Sequence, residues 1–348
     1  MNQLIGHELV TRMLGRAVGE DRVRHAYLFS GPARVGKSTL ARWLALRLNC
    51  TGPAPPCGAC KTCQRILSGT HPDVRALQLA GDRDPSLGLA FDVPPRSSRS
   101  QERVISIEQV WALQHDASLA PREARWKVYL VVGAESLSRE AANCLLKTLE
   151  EPSERVVLVL TAIDPADLLP TVVSRCQAIR LAPVAFPTIA AGLVATDKCA
   201  ADRADLIARL SGGRPGWAIE AVAQPAVLDE RNRALDDLGL TLGRGFRDRL
   251  GLAERLAADY SRDQTRVFQT LNLWQLYWWD VQLIQQGCAD HVTNVDRRED
   301  LDALAVRVPD AAVLAYLRAL SVATQRLLQN VNPRLTLETL LVTSPVAR

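Results

Sequence analysis

His25-Ala-Tyr-Leu-Phe-Ser-Gly31-Pro-Ala-Arg-Val-Gly36-Lys37-Ser38-Thr39-Leu-Ala-Arg-Trp-Leu44 is the stretch that decides the fold. Ala26 to Phe29 is a short apolar run of the kind a buried strand requires. Gly31 to Ser38 then satisfies G-x-x-x-x-G-K-[ST] at every fixed position. Leu40, Ala41, Leu44, Ala45 and Leu48 follow at helical spacing, which sets Lys37, Ser38 and Thr39 at a helix N-terminus. Free backbone N–H groups and the helix dipole attract phosphate there. Gly31 and Gly36 let the backbone curl with its amides inward, Lys37 reaches toward outer phosphates, and Ser38 offers a hydroxyl to Mg²⁺. The plain alternative is a glycine turn. The complete pattern in a strand-turn-helix setting favours a phosphate-binding loop for ATP or ADP.

Working outward, the 348 residues exceed one ordinary core and predict about two or three domains. With 47% hydrophobic and 23% charged residues the chain reads as globular, neither disordered nor fibrous. A net charge of +4, from 42 basic and 38 acidic residues, gives no surface that would bind nucleic acid on charge alone. Any DNA contact is therefore local or shared. Apolar runs such as Val156 to Ile163 are too short to span a bilayer, and the N-terminus lacks the apolar core of a signal peptide. A cytoplasmic protein without membrane contact is the expectation.

Four of the eight cysteines crowd between Cys50 and Cys63. Cys57-Gly-Ala-Cys60-Lys-Thr-Cys63 is joined to Cys50 across a Pro/Gly loop, and four thiolates close one tetrahedral Zn²⁺ site. A redox pair needs only two of them and leaves the others unexplained. No coordination position stays open, so the predicted zinc is structural.

Leu4, Leu9, Met13, Leu14 and Val18 mark a packing helix ahead of the first strand. Residues 80 to 103, rich in Gly, Pro, Ser, Asp and Arg, carry no period and read as an exposed, mobile loop. Structure resumes at Val104 with a short strand and a helix to Leu113, and Trp126 to Val132 is a second buried strand. A nucleotide hydrolase ends that strand in acids that anchor Mg²⁺ and orient the attacking water. Here it ends in Val132-Gly133-Ala134, so Mg²⁺ is held weakly if at all, and Glu135 just beyond is the candidate substitute. Ser138 to Glu151 forms a helix with Ala141, Ala142, Leu145, Leu146 and Leu149 inside, stopped by Pro152. Val156 to Leu160 is a third strand; Thr161 at its end is placed to touch an outer phosphate, or is only a turn former.

This alternation makes residues 1 to about 183 a three-layer α/β domain with a largely parallel sheet. Beyond Pro183 the pattern is helical, with small helices over 184–224, a break at Ser211-Gly-Gly-Arg-Pro-Gly216, and longer helices over 225–348. Trp274, Tyr277 and Trp278 share one helix face, which suits base stacking or, more ordinarily, burial.

Several further stretches complete the picture: Ile5-Gly-His7, His71-Pro-Asp73, Ala141-Ala-Asn143-Cys-Leu-Leu-Lys147-Thr-Leu-Glu-Glu-Pro152, Leu168-Leu-Pro-Thr-Val-Val-Ser-Arg-Cys176 and Asn330-Val-Asn-Pro-Arg-Leu-Thr-Leu-Glu338. With the phosphate loop and the cysteine insert, the chain closely resembles the AAA+ clamp-loader subunits of bacterial DNA polymerase III. The resemblance spans nearly the whole chain. It implies an AAA+ P-loop domain (1–183), a small helical lid (184–224) and a helical collar (225–348). It also implies a stator in a five-subunit ring, beside gamma/tau motor subunits and a delta subunit, that opens the sliding clamp and places it on primer-template DNA. Arg175, steered by Ser174, would be an arginine finger presented in trans to the ATP of a motor. Motors share the P-loop, the zinc cysteines and Ser-Arg-Cys. Val132-Gly133, where motors carry Asp-Glu, and Gly216, where their Gly-Ser-x-Arg-Asp-Ala segment has a nucleotide-sensing arginine, point to the stator.

Two other functions compete. One is an active AAA+ ATPase motor in which Glu135 replaces the missing acid. The other, which ranks last, is a free-standing zinc protein touching DNA through Cys50 to Cys63; that insert lacks a lysine and arginine cluster, with only Lys61 inside it and Arg65 beside it.

Overall fold

The computed structural model describes residues 4–79, 84, 87–91, 104–196, 199–242, 245–329 and 331–345. The apolar runs become strands of one parallel sheet: β1 (Ala26–Ser30), β2 (Val74–Leu77), β3 (Leu89–Ala90), β4 (Lys127–Val131), β5 (Val156–Ala162) and β6 (Gln177–Arg180), in the order β3-β2-β4-β5-β1-β6. β1, β4 and β5 are buried at every position, the reason their sequences are apolar throughout rather than alternating. β1 lies between β5 and β6, with Leu28 opposite Leu160 on one side and Ala178 on the other.

Successive side chains of a strand point to opposite faces, and they join different cores. Tyr27, Phe29, Val128, Leu130 and Val159 pack with residues of α1 (Glu8–Gly19), α2 (Lys37–Asn49) and α3 (Lys61–Leu67). Leu28, Tyr129, Val131 and Leu158 pack with α4 (Ile107–Ala117), α5 (Arg139–Glu150) and α6 (Pro170–Val173). Local chemistry sets where these helices begin. Ser106 donates its N–H to the Gln109 side chain ahead of α4, and Ser138 accepts from the Ala141 N–H to cap α5.

Two expectations need correction. Where it is described, the 80–103 stretch is not a featureless exposed loop: Leu87 and Phe91 are buried, β3 pairs with β2, and the Arg75 guanidinium lies 4.0 Å from the Phe91 ring centroid. A few apolar anchors outweigh the Gly/Pro-rich composition; residues 80–83, 85–86 and 92–103 lie outside the described residues. Thr161 does not follow its strand either. It pairs opposite Phe29 within β5 and is 2% exposed.

The chain divides into two compact units, Met1–Thr188 with Arg214–Gly216, and Ile189–Gly213 with Trp217–Arg348. The later helices are α7 (Phe186–Ala195), α8 (Ala201–Leu210), α9 (Pro215–Ala223), α10 (Ala226–Leu242), α11 (Phe246–Arg262), α12 (Gln264–Gln285), α13 (Arg298–Arg307), α14 (Asp310–Leu328) and α15 (Pro333–Val342). Trp274, Tyr277 and Trp278 of α12 are core residues: the Trp274 indole donates to the Ala234 carbonyl at 2.8 Å, and Trp278 packs edge-on to Tyr316. Burial, not base stacking, explains that aromatic face. Among the described residues, no helix is long and apolar enough to cross a membrane.

Candidate functional site

The phosphate loop joins the end of β1 to the start of α2, which begins at Lys37 directly after Gly36. Gly31 has φ 143° and a Cβ there would sit 2.4 Å from the Leu181 carbonyl oxygen, so both conformation and space demand glycine. Its N–H donates to the Ile163 carbonyl at 3.1 Å. The Lys37 ammonium donates to the carbonyls of Gly31 (2.6 Å) and Pro32 (2.8 Å), and burial draws its pKa down to about 8 against the pull of Glu135. Ser38 and Thr39 are half-buried in the first turn of α2. The loop is braced from outside as well: His7 Nε2 donates to the Val35 carbonyl at 2.9 Å, and the Gly216 N–H to that of Arg34 at 2.9 Å. Gly31, Gly36, Lys37, Ser38 and Thr39 are thus gathered around one strand-to-helix junction.

At the end of β4 the backbone turns through Gly133, whose N–H donates to Thr161 Oγ1 at 3.1 Å. No side chain of residue 133 exists to meet a metal, and the Thr161 hydroxyl is engaged by the same backbone. Glu135, in a short 3-10 turn (Ala134–Ser136), is turned inward. Its Oε2 is buried and has no hydrogen-bond partner. Burial pushes its pKa up, and the attraction of Lys37 opposes that. An acid and the loop lysine therefore feel each other across this junction.

Cys50, Cys57, Cys60 and Cys63 bring their sulfurs within 4.8 Å of one another. Backbone N–H groups point at them: Gly52 and Cys57 donate to Cys50 Sγ, Cys60 to Cys57 Sγ, and Cys63 to Cys60 Sγ. Donors aimed at sulfur stabilise thiolates. A hydrogen bond from the Thr51 side chain, aided by the Cys63 N–H, pulls the Cys60 thiol down to about 5, and the Cys60 N–H lowers Cys57. The donor set fits a metal ion of the Zn²⁺ type.

Arg175 lies in the turn between α6 and β6. Its guanidinium donates to the Thr171 carbonyl at 3.0 Å, approaches Ser174 Oγ at 3.4 Å, and forms an ion pair with Glu150 at 2.5 Å. The side chain is 35% exposed. Ser174 is exposed, its hydroxyl donating to the Thr171 carbonyl, whereas Cys176 points inward and burial raises its thiol to about 11.

The family described as "DNA polymerase III, delta subunit" matches residues 6–185, and its C-terminal counterpart matches residues 226–344. DNA polymerase III subunit delta' of Bacillus subtilis is 29% identical over 339 residues, 95% of this chain and 93% of that protein. The chain belongs to the DNA polymerase III delta-prime family. Subunit delta' of Pseudomonas aeruginosa is 37% identical over 201 residues, 57% of this chain and 55% of that one. Subunit tau of Escherichia coli is 38% identical, but over 175 residues, 50% of this chain and 24% of the tau protein. The Bacillus subtilis delta' protein is thus matched along nearly the whole chain, and the Escherichia coli tau protein along half of it. Membership of the delta-prime family supports a stator role within the clamp loader, and little or no ATPase activity of its own is the expectation for such a subunit of the polymerase III holoenzyme.

The four cysteines come together as their spacing suggests, and Ser174 and Arg175 follow α6 side by side. Sequence reasoning missed Glu150 as the partner of Arg175, although Leu149-Glu150-Glu151-Pro152 marks the end of a helix where such an acid is presented.

Proposed function

We propose that this stator acts through Arg175, which, steered by Ser174, lends its guanidinium to ATP held by a neighbouring motor subunit. A planar cation there stabilises charge on the transferring phosphoryl group. The carrying observation is the contrast between two places: Gly133 closes the end of β4 where a hydrolase needs an acid, while Arg175 stays partly exposed beyond α6. The chain's own loop, Gly31 to Thr39, is read as an ATP or ADP site that holds Mg²⁺ weakly if at all. We read the four-cysteine cluster as structural Zn²⁺, residues 1–183 as a three-layer AAA+ domain, 184–224 as its lid and 225–348 as a collar. Gamma/tau motors and a delta subunit complete the ring, which meets the sliding clamp and primed DNA in the cytoplasm.

The test has two arms. The purified chain is expected to turn over ATP at background. In the assembled loader, Arg175→Ala is expected to leave assembly intact and lower DNA-stimulated hydrolysis in part. A finger contributes about 10³ to 10⁵ in rate at the site it serves, but it serves one site among several. Arg175→Lys should restore little, since an ammonium lacks the planar fork. Hydrolysis and clamp loading at the unmodified rate with Arg175→Ala would make Arg175 an ordinary surface residue. A second reading, an active motor using Glu135, is favoured by the buried unpartnered Glu135 oxygen near Lys37. Robust turnover by the pure chain, lost in both Lys37→Ala and Glu135→Gln, would establish it.

A further inference from the structure

We propose that Glu150 is a positioning residue for Arg175, holding the guanidinium in the orientation from which it reaches a neighbour's nucleotide. The inference rests on the reading of Arg175 as a finger acting in trans. Glu150 is the last residue of α5, and its Oε1 lies 2.5 Å from Arg175 Nη2. Arg175 Nη1 is held on the other side by the Thr171 carbonyl, at 3.0 Å, from the first turn of α6. The guanidinium is thereby pinned between two helices, one giving a carboxylate and the other a backbone carbonyl. Neither contact alone fixes its plane; the two together do. A guanidinium carries more N–H donors than these contacts consume, so the held group still has donors for phosphoryl oxygens. An unheld arginine side chain samples many rotamers and has to be ordered at each encounter, a cost that falls on the rate. Both partners remain accessible, at 35% and 49% side-chain exposure, so a neighbour's nucleotide is not walled off.

The pair is partly exposed, which bounds the effect: such ion pairs are worth up to about 1 kcal/mol, equivalent to about 2- to 5-fold in rate at the site served. The experiment is a double-mutant cycle in loader assembled with this chain, reading DNA-stimulated ATP hydrolysis with Arg175→Ala, Glu150→Ala and both. Glu150→Ala is expected to lower the maximal rate at the served site about 2- to 5-fold without changing half-saturating ATP. It should have no effect once Arg175 is alanine, and Glu150→Gln, which keeps an acceptor, should restore part of the loss. A general structural role for the end of α5 would give the same loss in both backgrounds. If Arg175→Ala itself changes nothing, the finger reading fails and this inference with it. If Arg175→Ala lowers the rate but Glu150→Ala is neutral, additive or activating, the positioning role alone is overturned. Glu151→Ala, removing the adjacent acid, serves as control; an equal loss there would mean that local negative charge, not this contact, is responsible.

Discussion

Asp73 accepts backbone hydrogen bonds from Arg122 (2.8 Å), Glu123 (2.8 Å) and Ala124 (2.9 Å), fixing the loop that leads into β4. Burial alone would raise its pKa, but these three donors outweigh burial and leave the carboxyl below its ordinary range. A folded-state pKa below the unfolded one means stability that is present above the unfolded value, about 3.9, and lost as pH falls through the folded value. Asp73→Ala should therefore cost about 2 to 4 kcal/mol at pH 7, since it strands buried N–H groups. The gap from the unmodified protein should narrow as the pH drops below about 4. Thermal melts of both proteins across that range check this, and a gap independent of pH would assign the loss to packing instead. Nothing in His71-Pro-Asp73 as a string announces this role, because the loop it holds is 49 to 51 residues further on. Asn49 is hidden for the same reason: its side chain donates to and accepts from the backbone of Trp126, 77 residues away. Local pattern reveals residue type and spacing, whereas a buried polar side chain is explained only by the partner that the fold delivers.

The excursion between α2 and α3 shows what an element-scale reading captures and what it leaves out. Ligand number and spacing made the four-cysteine cluster legible from Cys50, Cys57, Cys60 and Cys63, since coordination chemistry depends on little else. The same spacing does not reveal that Cys60 also caps α3, accepting from the Cys63 N–H, so that the candidate metal cluster and the start of a seven-residue helix share one sulfur. An isolated helix this short is not stable in water. Metal is accordingly expected at one Zn²⁺ per chain in protein purified without chelator, lowered by Cys50→Ser, and its removal should raise amide exchange across Lys61–Leu67. A stoichiometry near zero, or unchanged exchange in that helix after chelation, would count against a structural metal. β1 and α2 were equally legible, their apolar periods being local. β3 was not: two residues in a Gly/Pro-rich stretch carry no period, and their pairing with Arg75 and Ala76 supplies the structure. Nor was the length of β5, since Thr161 reads as a turn former until its pairing with Phe29 is known.

At the scale of the whole molecule, the two units carry hydrophobic cores of their own. Residues flanking the sheet build the cores of the first, and α10 to α15 supply the large cluster of the second. That second cluster is cross-tied by polar contacts as well: Arg231 pairs with Asp296 at 2.8 Å, and the Arg249 guanidinium donates to the Ser344 carbonyl at 2.9 Å. Separate cores predict separate responses to damage, because perturbations that share no partners act independently. Trp274 is fully buried with its indole hydrogen-bonded to Ala234, so Trp274→Ala should cost the helical unit about 3 to 5 kcal/mol through the cavity and the unpaired carbonyl. Scanning calorimetry is expected to show that Trp274→Ala lowers one transition while chelation lowers another, each leaving its counterpart in place. The two-state approximation then applies to each unit and not to the chain. If either perturbation instead shifts one common transition by its full amount, the units unfold cooperatively, and damage to the helical unit would be felt at the phosphate loop even though the two cores share no residue.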